Sequence, residues 1–204
     1  TSGEIYINGE LVDISNPNVA ISKGIGMVHQ HFMLVQPFTV AENIILGTEP
    51  TKNGGAIDIK KAIEDVKEIS SKYGLFVDPM AKIEDITVGM QQRVEILKAL
   101  YRGAETLILD EPTAVLTPQE ITELINIIEN LTKQGKSVII ITHKLKEIKS
   151  VADYCTVIRR GKYIDTVKVS EVTENDLAEM MVGREVNFKV DKDEAKPTST
   201  VLKI

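Results

Sequence analysis

Disulfide chemistry is the first thing this sequence lacks. Cys155 is its single cysteine, so no intrachain bridge can form. The compartment is expected to be reducing and the thiol, set in an apolar stretch, to pack in a core. Long apolar runs are missing too. The longest aliphatic run is Val138 to Ile141, whereas a membrane-spanning helix needs roughly 20 residues. No secretory leader pattern is visible, so the expectation is a soluble protein, or one held at a membrane through a partner. Positive charge is in deficit, with 24 Lys and Arg against 30 Asp and Glu and a net charge of −6. That argues against a general nucleic-acid binder, which needs a basic face. Nucleotides stay allowed, because phosphate sites use backbone N–H groups and a few side chains. There is no internal repeat, and His29 and His31 make no case as metal ligands. The phosphate-cradling pattern Gly-x-x-x-x-Gly-Lys-Ser/Thr is absent as well. Gly135-Lys136-Ser137 imitates its end, but Asn130 stands where the first glycine belongs. That stretch also reads as a helix end running into a strand, the reverse of the order the pattern requires.

What is present is an alternation of short apolar strands and amphipathic helices, of a length that suits one domain, or one plus the start of another. Residues 3–12 alternate around Asn8-Gly9, a hairpin signal. Nothing regular precedes it, so upstream residues are expected. Ile25 to Gln30 reads as a strand ending in polar groups, and His31 to Pro37 as an apolar loop. Phe32, Met33, Leu34 and Phe38 there either form a contact surface or pack internally. Thr39 and Glu42 match a capping box for a short helix. Asp58 caps a helix with a stripe of Ile59, Ile63, Val66 and Ile69, ended by Gly74. Thr87 is an N-cap for a helix to about Tyr101, with Val94, Leu97 and Leu100 buried. Thr117-Pro118-Gln119-Glu120 supplies an N-cap, a proline at the first helical position and a capping box. Its stripe is Ile121, Leu124, Ile125, Ile128 and Leu131, and Gly135 is the expected stop. A buried strand from Ser137 to Thr142 ends at His143. A helix (Lys144 to Ala152), two strands around Gly161 and a helix from Thr173 to about Gly183 follow, with Met180 and Met181 as core filler. Residues 186–200 are rich in Lys, Asp, Glu, Pro, Thr and Ser and read as a linker. Residues 201–204 read as the first strand of a further domain.

The stretch that organises the rest is Thr106 to Thr113. Apolar residues run straight into Asp110 and Glu111, as in a buried parallel strand whose carboxyl end opens onto a site. Two adjacent carboxylates there are costly unless positive charge is expected. A divalent ion and a neighbouring water meet that need, with Asp110 on Mg²⁺ and Glu111 polarising the water. The alternative is a strand ending in a solvated acidic turn.

Four features then occur in order: a strand ending near Gln30, Thr87-Val88-Gly89-Met90-Gln91 opening a helix, the acidic strand followed by Ala114-Val115-Leu116-Thr117, and a strand ending in Thr142-His143. This order resembles the ATP-binding subunits of ABC transporters over about residues 1–185. The resemblance implies an α/β fold, a P-loop NTPase-like core with a mainly parallel sheet and a helical subdomain at about 36–93, here without the P-loop strand and helix. It implies ATP and Mg²⁺ as ligands. Gln30 matches the Q-loop, touching Mg²⁺ and the attacking water. Thr87, Val88, Gly89, Met90 and Gln91 match the signature that meets the nucleotide of another ATPase domain. Asp110 matches the metal-holding aspartate, Glu111 the water-orienting glutamate, and His143 the histidine that contacts the γ-phosphate and holds Glu111. Gln30 as a polar strand end, Thr87 as a plain N-cap and His143 as a surface histidine are the alternatives for each residue alone.

The signature departs from the general Leu-Ser-Gly-Gly-Gln form at Val88 and Met90, and the loop after the acidic strand ends in Thr117 rather than Asp. These forms resemble the first half of tandem ATPases that power importers of simple sugars or nucleosides. The partners implied are a second ATPase domain and transmembrane permease subunits, at the cytoplasmic face of the plasma membrane; no nucleic acid is implied. Rival expectations are a non-catalytic module that lends its signature face, and a soluble ABC-type ATPase of translation or DNA repair. In the family the P-loop strand lies beside the strand ending at His143. Without it, Val138 to Ile141 is expected to find another molecule, be shielded by rearrangement, or lose order.

Overall fold

A computed structural model describes residues 3–184. The expected linker at 186–200 and the strand start at 201–204 lie outside the described residues. The chain separates into two units, residues 1–144 and 145–204, each taken by itself here. Among the described residues no helix is long and apolar enough to cross a membrane.

The first unit opens with the antiparallel hairpin β1 (Ile5–Ile7) and β2 (Glu10–Val12). Asn8 and Gly9 take φ of 52° and 82°, the left-handed pair that a two-residue turn demands. A short helix that the sequence reading omits, α1 (Pro17–Ser22), follows. Asn16 caps it by accepting the Val19 N–H at 3.1 Å, and Pro17 sits in its first turn. The capping signal was local and legible.

The site rests on a three-stranded parallel sheet of β3 (Ile25–Val28), β4 (Thr106–Asp110) and β5 (Ser137–Ile141), with β4 central. Val28 pairs with Leu109, and Leu109 with Ile140, so all three strands end near one level. The first strand ends at Val28, two residues short of the expected Gln30. β4 leaves the sheet one residue past Leu109, so no ladder remains to hold His29 and Gln30 extended.

One face of this sheet is covered. Val28, Leu107 and Leu109 are buried there beneath α4 (Val88–Tyr101) and α5 (Pro118–Lys133). Gly26 lets α4 close in: a Cβ on it would lie 2.9 Å from the Cβ atoms of both Ala99 and Ala104. From α5, Leu124, Ile127, Ile128 and Leu131 are buried. The opposite face is open. Met27, Ile139 and Ile141 are 42%, 51% and 48% exposed. Among the described residues β5 is nevertheless regular and pairs with β4 alone, which corrects two of the three expected outcomes, shielding by rearrangement and loss of order. Its hydrogen-bonded ladder with β4 and the packing of α5 on its inner face hold it in place.

Between β3 and α4 the chain is mainly helical: α2 (Val40–Ile45), α3 (Ile59–Tyr73) and a 3-10 turn at Ile83–Asp85. The capping box on Thr39 forms as read, and Gly74 closes α3 with φ 69°. The buried face of α3 is Ala62, Val66, Ser70 and Tyr73, so of the expected stripe Val66 is buried and the three isoleucines are not. Small Ala62 permits close approach, so the bulkier Ile63 and Ile69 flank the contact and Ile59 is exposed.

The second unit holds α6 (Leu145–Val151), the antiparallel pair β6 (Tyr154–Arg159) and β7 (Lys162–Lys168), and α7 (Glu174–Val182). Thr173 and Asp176 form a full capping box on α7. Arg159 Nη1 donates to the Met180 carbonyl at 2.8 Å, fixing α7 to β6. Cys155 is half-buried, and burial pushes its thiol pKa up. Met180 and Met181 are half-buried too.

Gly26→Ala is expected to force α4 off β3 and lower stability by about 1–3 kcal/mol, the usual range for overpacking. A thermal melt comparing the two proteins checks this; an unchanged Tm would show that the sheet and helix do not need this close approach.

Candidate active site

At the end of β4 the chain turns sharply. The Glu111 N–H donates to the Ile141 carbonyl at 2.8 Å, carrying the β4–β5 ladder one residue past Asp110. Glu111 itself takes φ 45°, a conformation that residues other than glycine seldom adopt. This turn sets the Glu111 carboxylate against His143, with Nδ1 2.9 Å from Oε1. The carboxylate accepts, so Nδ1 carries the hydrogen and Nε2 points away. Glu111 Oε2 is buried and has no hydrogen-bond partner, while the His143 side chain is largely exposed.

Three further hydrogen bonds lock the turn. Lys144 Nζ donates to the Thr113 carbonyl and hydroxyl, both at 2.9 Å, and the Lys144 N–H donates to Thr142 Oγ1 at 3.1 Å. Thr113 is buried, so Lys144 ties the segment after Glu111 to the segment carrying His143. Sequence reading missed Lys144, since a lysine beside a histidine carries no signal for a partner 31 residues away.

Gln30 lies two residues beyond Val28, as Glu111 lies two beyond its partner Leu109. The register therefore aims both chains at the same end of the sheet. Gln30 is exposed and makes no side-chain hydrogen bond among the described residues. Asp110 is half-buried beside Glu111. The structure thus joins Glu111 to His143 directly, keeps Asp110 adjacent, and brings Gln30 to their level without a bond to either.

The loop after Gln30 is clamped rather than free. Glu95, buried on α4, accepts the Met33 N–H at 2.7 Å. Lys98, one turn on, donates to the Met33 carbonyl at 3.2 Å, and burial lowers its pKa. Asn43 is fully buried; it accepts the Val35 N–H at 2.7 Å and donates to the Val35 and Thr39 carbonyls at 3.1 and 3.0 Å. Leu34 packs inside while Met33 and Phe38 stay exposed, so the apolar loop divides between the two expected roles.

The Thr87–Gln91 segment opens α4. Thr87 Oγ1 accepts the Met90 N–H at 3.3 Å, and Val88 is exposed. Gly89 N–H donates to Glu120 Oε1 at 3.0 Å. Gln91 Nε2 donates to the carbonyls of Ile83 and Ile86 at 3.3 Å each. Its side chain therefore braces the preceding turn, whereas Thr87, Val88 and Met90 lie at the helix start. These residues make no contact with Glu111 or His143.

Residues 1–114 match the family described as ABC transporter. The chain is 60% identical over 204 residues to the nucleoside import ATP-binding protein NupA of Lactococcus lactis, covering 100% of this chain and 40% of that one. It is 61% identical over 202 residues to the guanosine import ATP-binding protein NupO of Bacillus subtilis, covering 99% and 39%. A ribose import ATP-binding protein of Rubrobacter xylanophilus is 43% identical, covering 100% and 41%. The chain thus spans about two fifths of the length of these relatives. Among solved structures, an ATP-binding cassette of an ABC transporter in its ADP conformation superposes with a TM-score of 0.73 at 21% identity, over 90% of this chain and 78% of that one. At that identity the likeness is one of fold.

Asn43→Leu should cost about 1–3 kcal/mol, because it strands the Val35 N–H without a partner. Hydrogen exchange should show the Val35 amide losing protection first. Equal protection in both proteins would mean that the 31–37 loop is held by something other than Asn43.

Proposed function

The chain belongs to the ABC transporter family, and on that premise we propose that it is part of the ATP-hydrolysing subunit of an importer, with Glu111 orienting the attacking water. The Glu111–His143 contact carries this reading. It fixes one carboxylate oxygen and leaves the other, Oε2, buried without a donor. A buried acceptor of that kind is costly, and a water held there as nucleophile both satisfies it and loses its proton toward it. His143 keeps the carboxylate aimed, and its outward Nε2 can also donate to a terminal phosphate oxygen only in the imidazolium form, where both ring nitrogens carry hydrogen.

The residues fit Mg²⁺. Asp110 and the Gln30 amide offer hard oxygens, and Mg²⁺ keeps several waters and takes phosphate oxygens, so two protein oxygens suffice. Among the described residues no group of three or more Asp, Glu, His or Cys forms an all-protein cage. When bound, the ion neutralises charge on the phosphoryl group being transferred. Asp110 and Gln30 would hold it, and Gln30, unbonded on its exposed bend, is placed to respond to it.

Thr87, Val88, Gly89, Met90 and Gln91 form the signature face, turned toward the nucleotide of a second ATPase domain. We place that domain after the linker at 186–200, with residues 201–204 as its first strand. The present domain is 1–185, with its helical subdomain at about 36–93. Exposed Met33 and Phe38 form the contact surface for permease subunits. That contact keeps the protein peripheral at the cytoplasmic face of the plasma membrane. Nucleosides are the favoured cargo over simple sugars: the relatives named for nucleoside and guanosine import are 60% and 61% identical, the ribose-named one 43%.

The Gly-rich phosphate cradle is not among these 204 residues, so they alone should turn over ATP negligibly, and the test needs the full-length protein with its permease. There, Glu111→Gln should lower ATP turnover by about 10²–10⁴-fold, the usual contribution of a positioned base. Turnover at the parental rate would remove Glu111 from this role. In proteoliposomes, guanosine should be taken up in an ATP-dependent way and ribose should not; the reverse preference would overturn the cargo assignment.

A further inference from the structure

The carboxylate of Glu120 does two jobs at once. Its Oε2 accepts the Thr117 N–H and the Thr117 hydroxyl, each at 2.9 Å, completing the capping box that starts α5. Its Oε1 accepts the Gly89 N–H at 3.0 Å, 31 residues away in sequence, at the start of α4. A second link runs alongside, an ion pair between Arg93 on α4 and Glu123 on α5. These contacts join the Thr87–Gln91 segment to the loop that ends at Thr117.

Gly89 is shaped to this contact. It is the second residue of α4, in the first turn of the helix. No left-handed φ requires it, since Gly89 is not among the positive-φ residues. The reason for glycine is close approach. A Cβ here would lie 2.8 Å from Glu120 Cδ and nearer still to Oε1. Any larger residue pushes the carboxylate away. The donors on Glu120, the Thr117 N–H foremost, hold its carboxyl below the ordinary range, so it accepts as an anion near neutral pH.

We propose that Glu120 is a positioning residue for ATP hydrolysis: it fixes the Gly89 end of α4 to the Ala114–Thr117 loop, so that both move as one body against the second ATPase domain. The inference rests on the function proposed above, because it needs Gly89 and its neighbours to face a nucleotide. Glu120 touches no reacting atom. It acts by holding the Gly89 N–H and the Thr117 N–H at a fixed separation, and small misplacements of such groups are costly. A shift of about 1 Å can lower a rate 10²-fold.

The test uses the full-length protein in two readouts. Without nucleotide, hydrogen exchange of the Gly89 amide should speed up at least about tenfold in Glu120→Ala and in Gly89→Ala, while Glu129→Ala leaves it unchanged. In ATP turnover with the permease, Glu120→Ala should lower kcat at least about tenfold with little change in KM. The double variant should be no worse than the poorer single one, as contact between coupled sites requires. Should Glu120→Ala unfold α5, Glu120→Gln is read instead, since its one amide oxygen can serve Thr117 or Gly89 but not both. Parental exchange at Gly89, parental kcat in Glu120→Ala, or losses that multiply in the double variant would each overturn the proposal. Glu111→Gln in the same preparations separates the two readings. If it stays fully active while Gly89 exchange responds to Glu120, the hydrolytic assignment has failed and the tie has not.

Discussion

The register of the central sheet is the constraint on which the site depends. Three parallel strands share one ladder, with Val28, Leu109 and Ile140 side by side. Whatever follows each strand must emerge at the same edge. Glu111, His143 and the Gln30 bend emerge at one end of the sheet for that reason, though more than a hundred residues separate Gln30 from His143. A slip of one residue in β4 would turn Leu107 and Leu109 away from α4 and α5 and expose them. The burial that stabilises the sheet therefore also fixes the position of the acidic turn. The Glu111–Ile141 backbone bond and the Lys144–Thr113 contacts then reduce the remaining freedom of that turn.

The same helix serves two distant parts of the site. α4 begins with Thr87 and Gly89 and, further along, grips Met33 through Glu95 and Lys98. Buried Asn43 secures the far side of that loop. A buried carboxylate and a buried amide would each be destabilising if unpaired. Here the side-chain bonds they make among the described residues go to backbone, which explains why these two polar groups can be buried.

What was legible in the sequence was local. The capping boxes at Thr39 and Thr117, the Asn8-Gly9 turn and the acidic end of β4 each depend on residues a few positions apart, and each formed. Contacts made across the fold were not legible. Glu120 was visible as half of a capping box, but nothing nearby in sequence reveals its bond to Gly89. The role of Asn43 and that of Lys144 were hidden in the same way. The buried face of α3 was misread because the rule favours large apolar side chains, whereas the packing selected Ala62 and Ser70. The end of β3 was placed two residues late, since a strand stops where its partner stops and not where its own apolar run does. Loss of order was one outcome expected for the edge of β5, yet one ladder and one helix are enough to keep it regular.

The left-handed backbone at Glu111 has one more consequence. A residue other than glycine held there costs roughly 1–3 kcal/mol of strain. Glycine, and to a lesser degree asparagine, would relieve it and make the domain sturdier. Either replacement removes the carboxylate that bonds His143 through one oxygen and keeps the other buried. On the role proposed for Glu111, selection for durability and selection for that role pull in opposite directions at this position. A library screened only for heat resistance should lose the glutamate early, and one screened only for the proposed hydrolysis should keep it.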